Sequence, residues 1–370
     1  WNSGESLAVT LVDQDLNKNT GSDEDMVMTN AFNSTIPALI IGSPITLSSD
    51  SIFGTNATYT NMTIGTFNKI ATLTSPYAGS AANEDSQLTL NGTTIADMRT
   101  AISDASYVYA NYDMTEIAGE ITEITLVDAN GDVLLPLEAT TAEVGMLLLD
   151  NTVKAVGFTD LVETDTLKVN FTHHATNDHF VGETGDSIYF DIFTYGDRVN
   201  NAIYRMLLEE SDDNSATFEG DVEYIMLNQL NVDAVATFSG LTTVGSSITI
   251  IVHEDMTDED SPRINYLDLG ADGVETQIAD QVAAPSHSGV VTFDSANYKT
   301  ADTVTVTLDD QDMNTDSELI DVYITKGDDK VGNAGSDHVL DITFNDVLWQ
   351  SGDDIAGKTA GSPDDGLEAS

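Results

Sequence analysis

Residues 301–314 read ADTVTVTLDDQDMN, and residues 4–17 read GESLAVTLVDQDLN. The shared core is V-T-L-x-D-Q-D-[L/M]-N, which sets Val9 against Val306, Asp13 against Asp310, Asp15 against Asp312 and Asn17 against Asn314. In the later copy Val304, Val306 and Leu308 alternate with Thr303, Thr305 and Thr307. A period of two marks a strand with one face toward a core, and β-branched side chains suit a pleated surface. Each run then enters Asp- and Asn-rich positions that favour turns. The repeated unit is therefore a strand followed by an acidic turn.

Working outward, GSSITIIVHEDMTDED at 245–260 is a weaker copy that pairs Asp255 with Asp312 and Met256 with Met313. GDSIYFDIFTYGD at 185–197 is looser still. Upstream of the last copy, GVVTFDSANY at 289–298 reads as a further strand and turn. The first copy has no such segment before it, so Trp1 is expected to stand inside a domain and the chain to be a fragment of a longer multidomain protein. NSATFEGDVEYIML at 214–227 reads as a hairpin-like pair of return strands. Asn130-Gly131, within DANGD at 128–132, predicts a hairpin turn between strands at 124–127 and 133–137. The best short-helix candidate is ADMRTAISDAS at 96–106. Many short strands with frequent turns predict an all-β chain of β-sandwiches in series. The expected divisions are 1–111 (N-terminally incomplete), 112–232, a short β domain or part of a neighbour at 233–285, and 286–370 (C-terminally incomplete).

Composition narrows the function classes. Among 370 residues, 63 are acidic and 12 basic, a formal net charge of -51. Such an excess keeps a surface hydrated, repels nucleic acid and anionic membranes, and strains the compact state unless cations or salt relieve it. A hydrophobic share of 41% is enough to build cores and argues against a disordered polyanion. The absence of cysteine removes disulfides, thiolate metal sites and cysteine nucleophiles together. No apolar run reaches the roughly 18 residues of a spanning helix, so no membrane span is expected in this segment.

Alternate oxygen-bearing residues make the acidic turns candidate cation sites. Asp310, Asp312, Asn314, Asp316 and Glu318 form one such series, and Asp13, Asp15, Asn17 and Asn19 another. Asp255 and Asp258 belong to the weaker copy. Calcium takes six to eight oxygen ligands, and a loop with an oxygen at every second residue can wrap one ion. The pattern departs from an EF-hand, because Lys18 and Thr315 stand where its sharp-turn glycine would be. The competing reading of any one loop is a solvated acidic turn. His173, His174 and His179 cluster in HHATNDH, where three imidazoles with Asp178 could hold a transition metal, but neighbouring strand positions point to opposite faces, so polar side chains that face solvent are the preferred reading there. Sequons occur at Asn33, Asn56, Asn61, Asn91 and Asn170. No nucleophile elbow, zincin motif or phosphate-binding glycine loop is present, so the chain is not expected to be an enzyme.

Several phrases resemble the surface-layer proteins of ammonia-oxidising archaea, Nitrosopumilus-like members in particular. They are VTVTLDDQDMNTDSELIDVY (304–323), HSGVVTFDSANYKTADTV (287–304), DEDSPRINYLDLGADGV (258–274) and FEGDVEYIMLNQ (218–229). The resemblance covers residues 185–370 well and 1–30 through the repeat, and is weaker over 31–184. It implies Ig-like domains in tandem, secretion to the cell surface, self-assembly into a two-dimensional lattice, calcium binding and glycosylation. It further implies a porous acidic layer that concentrates ammonium. Two other functions stay open at the level of sequence. One is a calcium-rigidified adhesin with Ig-like domains, and the other an acidic extracellular hydrolase.

Overall fold

The computed structural model describes residues 1–28, 32–55, 58–78, 86–90, 107–117, 121–127, 133–137, 143–148, 167–173, 181–195, 200–226, 241–252, 261–285, 287–314 and 320. The strands in chain order begin with β1 (Leu7–Val12), β2 (Ala38–Ile41), β3 (Ile52–Thr55), β4 (Thr58–Ile64), β5 (Ala71–Leu73), β6 (Tyr77–Ala78), β7 (Ser86–Leu90) and β8 (Tyr107–Asp113). Next come β9 (Ile121–Val127), β10 (Val133–Leu137), β11 (Val144–Leu148), β12 (Leu167–His173), β13 (Val181–Gly182), β14 (Ser187–Tyr195), β15 (Asn200–Met206) and β16 (Glu209–Glu210). The series ends with β17 (Thr217–Met226), β18 (Val244–Gly245), β19 (Ser247–Val252), β20 (Arg263–Leu269), β21 (Glu275–Gln281), β22 (Val290–Phe293) and β23 (Val306–Asp309). A single 3₁₀ turn over Gln311–Met313 follows. The all-β class expected from the period-two pattern is the class observed.

The strand assigned to the fourth repeat copy is the axis of the fold. All nine residues of β14 are buried, and alternation sends them into two cores. Ile188, Phe190 and Ile192 join Phe53, Leu88, Tyr112 and Phe171 in one core. Tyr189, Phe193 and Tyr195 join Tyr204, Phe218, Tyr224 and Ile250 in the other. A strand covered on both faces reads as a continuous apolar run, and SIYFDIFTY is such a run apart from Asp191 and the flanking hydroxyls.

Pairing interleaves distant segments. β14 pairs antiparallel with β8, β5 and β15, and β1 pairs antiparallel with β17. The expected division between 111 and 112 falls inside β8, and strands on either side of it share sheets. Local patterning finds strands, whereas some of their partners lie more than two hundred residues away, as Asn265 does from Ala38 and Val222 from Leu7. β9 and β10 form the predicted antiparallel pair with Val133 opposite Val127, and their connecting turn at 128–132 lies outside the described residues. So does the helix candidate at 96–106.

One strand assignment is overturned. Residues 217–226 form one ten-residue strand, β17, instead of a hairpin. Within it Gly220 serves close approach: a Cβ there would lie 2.6 Å from the Ser246 carbonyl oxygen and 2.7 Å from Leu208 Cδ2. Continuity lets β17 pair β1 on one edge and β19, in parallel, on the other.

Candidate functional site

The two best copies of the repeat adopt one backbone form. At the first, Glu5 N–H donates to Asn2 O at 3.1 Å, and Asn2 N–H donates to Glu5 Oε2 at 2.9 Å. At the last, Asp302 N–H donates to Lys299 O at 3.0 Å, and Lys299 N–H donates to Asp302 Oδ2 at 2.6 Å. Gly4 and Ala301 occupy the same place in these turns, with φ of 70° and 71°. After each strand the carboxylate that begins the D-Q-D motif caps the backbone two residues on. Asp15 N–H donates to Asp13 Oδ1 at 2.9 Å, and Asp312 N–H donates to Asp310 Oδ1 at 3.1 Å. The residue after the motif anchors the turn: Leu16 is buried in the second core and Met313 packs against that core.

The acidic turns differ in what holds them. Asp13 Oδ2 accepts a hydrogen bond from the Tyr266 hydroxyl at 2.6 Å. Burial, reinforced by that bond and by the Asp13 charge, pushes the Tyr266 phenol well above its usual range. Asp15 is exposed. Asn17 Nδ2 donates to Asn214 Oδ1 at 3.0 Å, while Asn17 Oδ1 is enclosed and meets no donor among the described residues.

At the later turn Asp312 is fully enclosed. Its Oδ2 accepts from His287 N–H at 2.7 Å, and its Oδ1 lies 3.0 Å from His287 Nδ1. Asn314 Nδ2 donates to Ser3 O at 3.0 Å, and Ser3 Oγ donates to Asn314 O at 2.9 Å. This reciprocal pair fastens the C-terminal repeat to the start of the first. Nearby, the Tyr224 hydroxyl lies 3.2 Å from both Trp1 O and Pro285 O, which share its one proton as acceptors. Burial first, and then the charges of Asp312 and Glu5, push the Tyr224 phenol up to about 12. The turn of the last repeat is thus a junction between units as well as an acidic loop.

Asp316 and Glu318 lie outside the described residues, as do Asp255 and Asp258. Among the described residues no group of three or more His, Asp or Glu side chains converges where it could hold a metal ion. A cation at the first turn would share Asp13 with Tyr266 or use Asp15 and the Asn17 oxygen. At the second it would compete with His287 for Asp312. Of the sequons, Asn33 is nearly buried, and its amide donates to Thr72 Oγ1 at 3.0 Å and Ser187 Oγ at 2.7 Å. Asn61 is exposed on β4, Asn170 is half-buried on β12, and Asn56 and Asn91 lie outside the described residues. His173 ends β12, and His174 and His179 are outside them.

The strongest electrostatic feature was not foreseen. Arg205 on β15 donates Nη1 to Asp191 Oδ2 at 2.6 Å and Nη2 to Asp191 Oδ1 at 3.0 Å, with both side chains fully enclosed. Its Nε donates to Asn68 O at 2.7 Å, and its guanidinium lies 4.1 Å from the Tyr189 ring centroid. Thr46 Oγ1 donates to Asp191 Oδ1 at 2.6 Å, and Asn111 Nδ2 donates to Asp191 Oδ2 at 3.3 Å. The available signal was Arg205 itself, one of only 12 basic residues and set in the apolar run AIYRML.

Among the described residues no helix is long and apolar enough to cross a membrane. In the comparisons with known proteins, no family model matches the chain and no curated protein matches it significantly.

Proposed function

We propose that this chain is a structural subunit of a secreted, self-assembling, acidic and porous archaeal cell-surface layer. Its units are Ig-like, and it takes up divalent cations, calcium first. The observation that carries the reading is recurrence: one strand and acidic turn, with the same capping carboxylate and a left-handed residue at the same place, occurs at 4–17 and again at 301–314 in a chain of net charge -51. The Asn17 oxygen, enclosed and without a donor among the described residues, and the exposed Asp15 two residues before it support a cation role for the first turn. The resemblance of several phrases to surface-layer proteins of ammonia-oxidising archaea supports the lattice.

The mechanism is electrostatic. Fixed carboxylates around pores raise the local concentration of cations, ammonium among them, and exclude anions. The focusing fades as salt rises, because exposed charges are screened over about 8 Å at physiological ionic strength. Asn61 is the sequon best placed to carry glycan among the described residues.

Electron microscopy of purified protein after exhaustive chelation, with and without added calcium, tests the reading. Ordered sheets and a raised melting temperature with calcium are expected. Single particles and an unchanged melting temperature would overturn it.

A further inference from the structure

Among the described strands β1 lies at a sheet edge. Asp13 N–H, at the end of β1, donates to Ala216 O at 3.0 Å in register with the β1–β17 ladder. In an antiparallel pair the residues that exchange hydrogen bonds alternate with residues whose polar groups point the other way. Leu7, Val9 and Leu11 therefore bond β17, while Ala8, Thr10 and Val12 aim their N–H and C=O groups at the opposite edge. Among the described residues nothing pairs there.

The last repeat shows what sits on that edge. Asp294 N–H donates to Thr305 O at 3.1 Å in register with the β22–β23 ladder. Thr305, Thr307 and Asp309 thus face β22, and they correspond to Ala8, Thr10 and Val12. The edge of β23 covered by β22 is the edge of β1 left open.

Transferring the register predicts side-chain placement. On β23, Phe293 stands opposite Val306, Thr292 opposite Thr307, Val291 opposite Leu308 and Val290 opposite Asp309. On β1 the same strand would set its Phe and second Val beside Val9 and Leu11, and its Thr beside Thr10. Val9 and Leu11, with Leu7, are the half-buried side chains of β1, whereas Thr10 is exposed. They line a cleft of about 530 Å³ together with Leu39, Val222, Ile264 and Ile278. An incoming Val and Phe meet an apolar wall, and the Thr meets water.

We infer that the open edge of β1 is a strand-accepting site for an extended peptide segment of the Gly-Val-Val-Thr-Phe-Asp pattern, bound antiparallel in the register that β22 takes on β23. Main-chain hydrogen bonds supply affinity and the alternate side chains supply selectivity. The inference is independent of the proposed lattice, since it rests on the equivalence of β1 and β23 and needs neither cations nor sheets.

The test titrates a fluorescent synthetic peptide of residues 287–298 with the full 370-residue chain and reads anisotropy. Saturable one-to-one binding is expected, with slowed hydrogen exchange at the Thr10 and Val12 amides. Thr10→Pro removes an N–H on the open edge without touching the β17 ladder, and proline is tolerated on edges. It should weaken binding at least tenfold, as should replacing Val291 and Phe293 of the peptide by serine. Thr307→Pro, at the equivalent place on β23, should leave binding unchanged. Absence of saturable binding overturns the inference, as does unchanged exchange at Thr10 and Val12 in the unmodified chain. Binding that Thr307→Pro abolishes and Thr10→Pro spares does so too, because the peptide would then be displacing β22. Self-association through β1 that the peptide cannot compete away would also overturn it.

Discussion

Arg205 and Asp191 face each other through two hydrogen bonds of 2.6 and 3.0 Å, with neither side chain reaching solvent. They join β15 to β14, the strand shared by both cores. Taking two charges out of water is costly, so such a pair adds less stability than its geometry suggests, and breaking it on one side strands a charge. Arg205→Met alone is expected to cost about 3–5 kcal/mol, and Asp191→Leu alone a similar amount. The double variant should lose far less than the two single losses combined. Denaturant midpoints of the three variants check this, and additive losses would contradict it.

The equivalence of Gly4 and Ala301 gives a second prediction. Both sit near φ 70°, where a Cβ costs roughly 1–2 kcal/mol and glycine costs nothing sterically. Ala301→Gly should therefore slow the local opening of the β22–β23 unit, after allowing for about 0.5–1 kcal/mol of glycine entropy. Gly4→Ala should speed opening around the first turn. Hydrogen exchange at Asp302 and Glu5, the amides that close the two turns, reads both changes.

The fastening of the last repeat should depend on its enclosed carboxylate. Asp312→Ala removes the acceptor for His287 N–H and the contact with its ring. Losing one partner of a buried hydrogen bond costs about 1–3 kcal/mol. The expected result is faster limited proteolysis within 287–314, with cleavage elsewhere unchanged. Uniform acceleration along the chain would mean that Asp312 supports the whole fold.

Acid should loosen the turn at 211–216. Partial desolvation raises the Glu210 carboxyl pKa, but bonds from the backbone of Ala216 and Glu24 and from Ser215 outweigh it and leave the group below its ordinary value of 4.5. A carboxylate with a depressed folded-state pKa stabilises fully above the unfolded value, and that contribution is lost as pH falls through the folded value. The Glu210→Gln variant should therefore be less stable than the parent at pH 7, with the gap closing below about pH 4.5. Thermal melts across pH 3–7 measure it, and a gap independent of pH would contradict the assignment.

Gly220→Ala tests the close approach of β17. Its Cβ would fall within 2.7 Å of both Ser246 O and Leu208 Cδ2, and overpacking of this kind costs about 1–3 kcal/mol. A lowered melting temperature is expected. An unchanged one would show that the contact relaxes freely.

Much of this was legible along the chain. Period-two alternation in VTVTL and LAVTLV located β23 and β1 because side-chain direction in a strand is a local property. The Asp-Gln-Asp signature located both capped turns because an Asp side chain reaches a backbone N–H two residues on without any tertiary partner. The hairpin expected at 214–227 is one strand instead, because whether such a run stays continuous depends on the strands that arrive on its two edges, β1 and β19.

What sequence alone determined is that the repeated stretch at 4–17 and 301–314 makes a strand and a carboxylate-capped turn twice over. Tertiary structure decided what each copy became. The first lies against β17 with one edge open, and its Asp13 is claimed by Tyr266 from 253 residues away. The last carries β22 on that same edge and encloses Asp312 against His287. The physical reason is range: capping and alternation act over two or three residues, whereas edge pairing and desolvation of a carboxylate depend on which distant strand arrives beside it.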